Sequence, residues 1–500
     1  MDLALVFAIA LAFYTLTLTP TVTWGDSAWL SVGVFTRSLQ MGTAGDHPLF
    51  LLVGRLFSAL PGELARNINF EAAVFGALTV MLIYRFARRL GCSTWAAAIG
   101  AAALCVSHAF WLHSVIAEVY TANAFFLAAT LTLLLQWRDS RRVAWLAAAT
   151  VVFAIGLANH LVLATAAPAA IIFVAATSWR TLLTRRSIAI LAVLASLFLV
   201  IALAPPPPIL AAFRKVWFGP PGIAEYLQLR IEPRRAMEET AFYALLFTYQ
   251  FPSIALLLGL AGIWALLRDK PAVAALLLLT TSVNAGVFIR QTGFPSVGTT
   301  KFVFYIADYV VFSIFCAVGA DVLLRRIAAR VTPARLRYWA LTLIAVVALV
   351  PPLIYAIAPS AALAVSHRGI DLVRPRRVQY RDDARFFLNP NKRGEDGARR
   401  FATEALEIAA PGAVIFADST PGAVLEYLRV VELRRPDVSV RFAPVDGQEV
   451  PVRWAFAGGQ RRRTYLSSLN LSYYDLTHLT GTYDLVPAGP MIEVRPRELP

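Results

Sequence analysis

Long apolar segments separated by short polar junctions restrict what this chain can fold into. Most of them are about 20 residues long, enough for a helix to cross about 30 Å of hydrocarbon. The sequence therefore predicts an all-α polytopic membrane protein with about eleven transmembrane helices. The predicted spans lie near residues 3–20, 70–87, 94–112, 120–137, 143–158, 161–178, 187–204, 241–266, 272–289, 302–323 and 339–358.

The composition agrees with a membrane protein. Hydrophobic residues make up 58% of the chain and charged residues only 15%, whereas soluble domains carry about 25% charged residues. The net charge of +15 could indicate nucleic-acid binding, but many basic residues stand in short clusters between apolar segments, as topology signals do. We therefore expect no nucleic-acid partner. The three cysteines have no Cys-x-x-Cys spacing and predict no zinc site.

Arginine clusters predict which side of the membrane each junction faces. They follow alternate segments, whereas the junctions 113–119, 159–160 and 290–301 hold only Arg290 and Lys301. The positive-inside rule then makes the arginine-rich junctions cytoplasmic. The N-terminus is predicted to be cytoplasmic, as a retained first helix rather than a cleaved signal peptide. The Ala- and Arg-rich composition suggests a bacterial inner (plasma) membrane.

The outward regions are predicted to be residues 21–69, 205–240 and 359–500. In the first, SAWLSVGVFTRSL and PLFLLVGRLFSAL are too short to cross and predict interfacial helices. Residues 1–358 form the predicted membrane domain, 359–395 a linker or loop-rich segment, and 396–500 a small extracytoplasmic α/β domain. The last follows from helix, strand, turn, helix and strand patterns after residue 400. In this predicted domain, Asp418 is expected to form a turn. The alternative is that it binds a ligand at the end of a strand.

Polar residues gather at the predicted outer face. Ionisable side chains are costly beside a membrane span, so they indicate function. Since the cytoplasmic side offers mainly topology arginines, we predict an outward-facing reaction site. The candidate residues on this face are Asp26, Asp46, His47, His113, Glu118, Tyr120, Asn123, Asn159, His160, Arg290, Lys301, Tyr305 and Asp308.

Structural alternatives stay open for several candidates. Glu118 and Asn123 could cap or anchor a helix, and the pair at 159–160 could satisfy backbone groups in a tight turn. The run at 46–48 could begin a helix. Basic residues in 214–235 could form a solvated face.

Asp26 stands between Trp24 and Trp29 in WGDSAW, just after the first apolar segment. An N-cap role would explain the acid but not the two tryptophans. A carboxylate here can accept a proton from an attacking hydroxyl, while cations hold a phosphate leaving group and the spans hold a lipid tail. No GxxxxGK[ST] or GxGxxG loop follows a strand, so a nucleotide donor is not indicated. The candidate cations are Arg214, Lys215, Arg234, Arg235, Arg290 and Lys301.

Four motifs resemble a widespread family of multi-span proteins formerly described only as a domain of unknown function. They are WGDS at 24–27, HPLFLLVGRLFSALP at 47–61, FWLHSVIAEVYTAN at 110–123 and GLANHL at 156–161. That family is similar to the GT-C glycosyltransferases, and its animal member is regarded as a protein O-mannosyltransferase. The resemblance implies a GT-C-like fold with Asp26 as the catalytic base. It also assigns to the site Glu118, Tyr120, Asn123, Asn159 and His160.

The predicted function is an inverting GT-C-type glycosyltransferase. It moves a sugar from a polyprenyl-phosphate carrier to a hydroxyl on a protein, lipid or glycan at the outer face. The lipid-linked sugar is the donor and no cofactor is required; a divalent metal is compatible with this chemistry but not indicated. The alternative is a non-enzymatic transporter or flippase of lipid-linked glycans, or a scaffold with an outer sensor domain. Transporters bind near mid-membrane between repeated halves, whereas these polar residues cluster at one face.

Overall fold

A computed structural model describes residues 2–39, 46–185, 187–190, 208–218, 233–290, 301–368, 376–442, 462–471 and 476–497, with a few isolated positions between them. Its first part is a helical bundle. The helices are α1 (Leu3–Leu16), α2 (Asp26–Phe35), α3 (Pro48–Phe57), α4 (Leu64–Arg89), α5 (Thr94–Cys105), α6 (His108–Ser114), α7 (Tyr120–Ser140), α8 (Val143–Leu157), α9 (Ala167–Leu182), α10 (Pro208–Phe218), α11 (Pro233–Gln250), α12 (Ala255–Asp269), α13 (Pro271–Arg290), α14 (Ile306–Ala328) and α15 (Pro333–Ser366). Short 3₁₀ helices at Leu161–Ala166 and Lys301–Tyr305 lead into α9 and α14.

Several of these helices can cross a membrane. In the described residues five are long and apolar enough, or seven if each of two bent pairs counts as one span. Helices also occupy the predicted spans at 3–20, 120–137 and 143–158, but α1 and α8 have only 14 and 15 residues. The prediction of a polytopic membrane protein is therefore confirmed, whereas the number of about eleven transmembrane helices stays a prediction. Most of the predicted span at 187–204 lies outside the described residues.

Two predicted spans are bent rather than continuous. Helices α5 and α6 share the segment 94–112 and meet at 70°, and α11 and α12 share 241–266 and meet at 109°. Pro252 lies in the second bend, where its missing N–H and its ring prevent a helix from continuing. The two bends are joined, since Oε1 of Gln250 accepts a hydrogen bond from the Ala109 N–H at 2.6 Å. Apolar composition alone carries no signal for such a bend.

Helices α12 and α14 cross at very short range. A Cβ atom at Gly262 would lie 1.9 Å from the carbonyl oxygen of Phe315, and one at Gly319 would lie 1.8 Å from that of Leu258. Small residues let backbones approach in this way, because helix association in lipid depends on packing rather than on the hydrophobic effect. This crossing anchors α14, which is buried along most of its length.

The C-terminal part contains a mixed sheet with helices. Strands β1 (Val414–Ala417), β2 (Ser439–Phe442) and β3 (Thr464–Leu466) are parallel, with β1 in the middle. Strands β4 (Tyr483–Ala488) and β5 (Met491–Pro496) form an antiparallel pair beside β3, in the order β2-β1-β3-β5-β4. The helices are α16 (Asp383–Leu388), α17 (Gly397–Ile408), α18 (Ser419–Val430) and α19 (Thr477–Thr482).

Asp418, for which the sequence left ligand binding open, is buried in this α/β unit. Its carboxylate accepts from the Thr420 N–H at 3.1 Å and begins α18. It also pairs with Arg376 at 2.5 Å. These contacts give Asp418 a structural role as the N-cap of α18, in place of the predicted turn.

The α/β unit packs directly on the first outer loop. Trp24, Ala28 and Val32 share one buried apolar cluster with residues of α17 and α18. At the edge of this contact, the Arg399 guanidinium pairs with Glu432 of the α/β unit and with Glu63 before α4, the latter at 2.8 Å. The loop that carries Asp26 is thereby held between the bundle and the α/β unit.

The close crossing predicts that Gly262→Ala destabilises the bundle. A methyl group 1.9 Å from a carbonyl oxygen forces the helices apart, and overpacking of this kind costs about 1–3 kcal/mol. Gly286→Ala in α13 is the matched control, since a Cβ there meets nothing within 4 Å. Thermal unfolding in detergent should show a lower midpoint for Gly262→Ala alone; equal midpoints would contradict the crossing.

Candidate functional site

Asp26 is the first residue of α2, and its position depends on the residue before it. Gly25 has φ 66° and ψ −131°, a conformation that side-chain-bearing residues adopt only under strain. Its N–H donates to the Thr420 carbonyl at 3.2 Å. The α/β unit therefore holds the backbone next to Asp26, and Asp26 is not the N-cap that the sequence left open.

The two tryptophans beside Asp26 also attach its loop to the α/β unit. The Trp24 ring lies 5.7 Å from the ring of Phe401 in α17, and the Trp29 ring lies 4.8 Å from that of Phe442 in β2. The Arg381 guanidinium lies 5.8 Å from the centre of the Trp24 ring. Arg381 is itself buried and pairs with Asp383 at 2.8 Å.

Arg381 was missed in the sequence analysis. It stands in a basic stretch that resembles a linker, and no local pattern links it to a tryptophan more than 350 residues earlier. The structure gives that stretch a packing role beside the loop of Asp26. Only the unusual density of arginines and aromatics in 376–400 could have drawn attention to it.

Three outer regions of the bundle come together at Asp26, namely the first outer loop and the turns at 113–119 and 159–160. We use the name Asp26 cluster for Asp26, His47, Glu118, Tyr120 and His160. The His47 and His160 rings stack with centroids 5.0 Å apart, and the Tyr120 ring lies 5.3 Å from that of His160. Asp26 interacts electrostatically with both His47 and Glu118. The fold thus brings candidate residues from three of the four predicted outer regions side by side.

The Asp26 carboxylate is surrounded by protein and yet keeps accessible surface. Residue 26 as a whole is exposed, but the protein atoms packed around the carboxylate remove much of its hydration. Such a group lines an inward recess rather than the outer surface. This burial raises the pKa of Asp26 above the usual carboxyl value, and the charge on His47 partly opposes the rise.

Glu118 is the second carboxyl group in the cluster. Burial, the main cause, and the nearby charge of Asp26 raise the pKa of Glu118 well above its ordinary value. Two carboxylates so close do not both ionise readily. Burial therefore favours the protonated form of Glu118, which can donate a hydrogen bond. Glu118 does not cap α7, whose N-cap is Val119 with no side-chain bond.

Backbone groups determine the tautomers of the two histidines. His47 Nδ1 lies 2.8 Å from the Asn159 carbonyl oxygen, which only accepts, so Nδ1 of His47 carries a proton. His160 Nδ1 accepts from the Val162 N–H at 3.0 Å, so neutral His160 is protonated at Nε2. Burial lowers the pKa of both rings, and the charge of His47 lowers that of His160 further. His160 is thus held as a neutral donor.

The remaining outer candidates have different surroundings. Asn159 donates to the Val119 carbonyl at 2.9 Å, so Asn159 and His160 do satisfy backbone groups, as the structural alternative expected. His113 extends the ring contacts of the cluster, 5.3 Å from Tyr120. Asn123 is buried one turn after Tyr120.

Residues of the ninth and tenth predicted spans are engaged within the bundle. Tyr305 is buried against Tyr243, with ring centroids 4.7 Å apart. Asp308 accepts from Asn284 at 3.1 Å and from Tyr243 at 3.2 Å. The structure does not place either residue among the ring contacts of the Asp26 cluster.

One candidate cation contacts the first outer loop next to the cluster. Lys215 on α10 pairs with Asp46 at 2.5 Å and so meets the first outer loop beside His47. Arg214 is its partly buried neighbour. Arg234 is exposed and pairs with Glu238 at 3.3 Å. The side chains of Arg235, Arg290 and Lys301 lie outside the described residues. Within the described part of the chain, no three His, Cys, Asp or Glu side chains are grouped to hold a metal ion.

The raised pKa of Glu118 can be tested by chemical labelling. A hydrophobic carbodiimide reacts with protonated carboxyl groups, so at pH 7 it should modify Glu118 much more than Glu63, which is paired with Arg399. Labelling of Asp26 should rise as the pH falls from 7, since its pKa is raised and protonation begins above the usual carboxyl range. Peptide mass spectrometry measures both. Stronger labelling of Glu63 than of Glu118 would be inconsistent with this electrostatic arrangement.

Comparison with known proteins agrees with the fold and with the motifs. Residues 34–183 match the family described as Protein O-mannosyl-transferase TMEM260 N-terminal domain. Mouse Protein O-mannosyl-transferase TMEM260 is 30% identical over 139 residues, which are 27% of this chain and 19% of the mouse protein. The match thus spans about a fifth of that relative. The WGDS motif precedes the matched range.

Solved structures of ArnT from Cupriavidus metallidurans share the fold along the whole chain. One is bound to undecaprenyl phosphate and the other is in the apo state; their TM-scores are 0.56 and 0.57. Each match covers 98% of this chain and 97% of ArnT at 14% identity. The resemblance inferred from the motifs is confirmed: the chain is a multi-span membrane protein of GT-C-like fold, and its residues 34–183 are similar to the N-terminal domain of the O-mannosyltransferase TMEM260.

Proposed function

We propose that the chain is a glycosyltransferase that moves a sugar from a polyprenyl-phosphate carrier to an acceptor hydroxyl at the outer membrane face. The placement of Asp26 carries the proposal. Its carboxylate keeps accessible surface in a recess beside His47 and Glu118. The fold is one that ArnT uses, and one ArnT structure holds undecaprenyl phosphate. The N-terminal similarity to an O-mannosyltransferase supports the same reaction class.

In the proposed reaction Asp26 is the general base. Its carboxylate takes the proton of the acceptor hydroxyl while the hydroxyl oxygen forms a bond to the anomeric carbon. The bond from that carbon to the phosphate oxygen breaks on the opposite face, so the configuration inverts and polyprenyl phosphate leaves. A base works best when its pKa lies near the working pH. The raised pKa of Asp26 makes it a stronger base than an ordinary carboxylate.

The leaving phosphate needs donors, and the cluster offers neutral ones. The protonated form of Glu118, which burial favours, and the Nε2–H of His160 can donate hydrogen bonds without charge. Among the candidate cations, Lys215 contacts the first loop through Asp46. We propose that Lys215 steers the phosphate towards the recess and that Glu118 and His160 bind it there. Donors set in place before the reaction stabilise developing charge most effectively.

Replacement of each carboxyl group by the matching amide should affect kcat very differently at the two positions. Asp26→Asn removes the base and should lower kcat by roughly 10²–10⁴-fold. Glu118→Gln keeps a neutral donor of similar shape, so its kcat should stay within about tenfold of the original. The assay follows labelled sugar leaving a polyprenyl-phosphate donor in proteoliposomes with an added hydroxyl acceptor. Full activity of folded Asp26→Asn would remove Asp26 from the mechanism.

The same assay distinguishes a transferase from a transporter of lipid-linked glycans. A transferase releases polyprenyl phosphate in step with acceptor glycosylation. Movement of the intact donor across the bilayer without that release would support transport instead. Thermal unfolding of both variants gives the fold control.

The pH dependence should report the environment of Asp26. Activity needs the ionised carboxylate and is therefore lost as the pH falls through a pKa that burial has raised. A proton on His47 lowers that pKa, so His47→Gln should move the acidic limb of kcat to higher pH. His160→Gln is the control for the position of the limb, because the charges that shift the pKa of Asp26 do not include one on His160. A shift of the limb to lower pH in His47→Gln would contradict the assignment.

A further inference from the structure

A second recess lies at the other end of the bundle, among α4, α7 and α8. It has a volume of about 260 Å³ and is lined by Leu82, Arg85, Ala129, Thr132, Leu133, Gln136 and Trp145. Arg85 is 21 residues from the start of α4, so it lies about 32 Å along the helix from the end near the α/β unit. Gln136 lies about 24 Å along α7 from Tyr120 of the Asp26 cluster. The recess is therefore separate from that cluster.

The lining changes from polar to apolar along the helix axes. Arg85 and Gln136 stand one turn before the ends of α4 and α7, and Trp145 stands in the first turn of α8. Leu82 and Leu133 lie one turn deeper, and Ala129 deeper still. The polar end thus coincides with the helix ends, where headgroups meet water, and the apolar end points into the bilayer. An indole at the interface is typical of contact with lipid headgroups.

Two polar side chains that line the recess make no side-chain hydrogen bond within the described residues. They are the Arg85 guanidinium and the Gln136 amide, whereas neighbouring arginines do form hydrogen bonds. Arg138 donates to Asp139 at 2.6 Å, and Arg88 donates to the Cys92 carbonyl at 2.5 Å. A positive charge and a neutral amide beside an apolar slot complement an anionic headgroup joined to an acyl chain.

We propose that this recess binds one anionic phospholipid of the leaflet at the arginine-rich end. The phosphodiester accepts hydrogen bonds from Arg85 and Gln136, Trp145 lies at the level of the glycerol esters, and one acyl chain packs along Leu82, Ala129 and Leu133. The assignment does not depend on the transferase reaction, because it concerns the opposite end of the bundle.

Titration of delipidated protein with phosphatidylglycerol, followed by native mass spectrometry, tests the site. We expect one lipid to bind more tightly than phosphatidylcholine, whose headgroup has no net charge. Arg85→Gln should weaken phosphatidylglycerol binding by roughly tenfold or more, since a hydrogen bond to a charged group is lost. Ala129→Phe should also weaken it, by filling the slot while leaving Arg85 in place.

Arg330→Gln is the matched control, because Arg330 is exposed at the same end but does not line the recess. Its affinity should equal that of the original chain. The proposal fails if Arg85→Gln or Ala129→Phe binds with unchanged affinity, or if phosphatidylcholine binds equally well. Displacement of the lipid by millimolar inorganic phosphate would overturn it too, since the site would then hold a free anion. Thermal unfolding verifies that each variant is folded.

Discussion

The attachment of the Asp26 loop to the α/β unit is the contact on which the candidate site depends. A carboxylate near a membrane gains hydration if its loop swings outward, and burial alone favours that movement. The Gly25 N–H bond to Thr420 opposes it, as does the packing of Trp24 and Trp29 on that unit. The loop is therefore held from both sides, and Asp26 is kept in the recess with a raised pKa.

This attachment also gives the C-terminal region a physical role. Its sheet and helices contribute no residue to the Asp26 cluster, yet they contact the backbone immediately before Asp26 and the rings on both sides of it. Arg399 ties the same surfaces together through Glu63 and Glu432. An active-site carboxylate is useful only if its position varies little. The α/β unit supplies that constraint from outside the bundle.

The sequence predicted those parts of the site that have local causes. Apolar runs located the helices, and the cost of polar groups beside them brought attention to Asp26, His47, Glu118 and His160. It could not predict the bend between α5 and α6, where the segment has no proline. Nor could it predict the bend at Pro252, because a proline can lie within a span as well as end it. Nor could it predict that two tryptophans pack on residues almost 400 positions later, since they read equally well as interfacial anchors.

The arrangement of charge in the cluster follows from the low dielectric around it. Burial, helped by the nearby charge of Asp26, raises the pKa of Glu118, and burial keeps His160 neutral. Among the described side chains, the candidate base Asp26 then shares the cluster with the neutral donor His160 and with a Glu118 whose protonated form burial favours. Lys215 stands outside that group, half exposed and paired with Asp46. Under the proposed function, a phosphate that enters the recess would exchange part of its hydration for these donors, which are in place before the reaction begins.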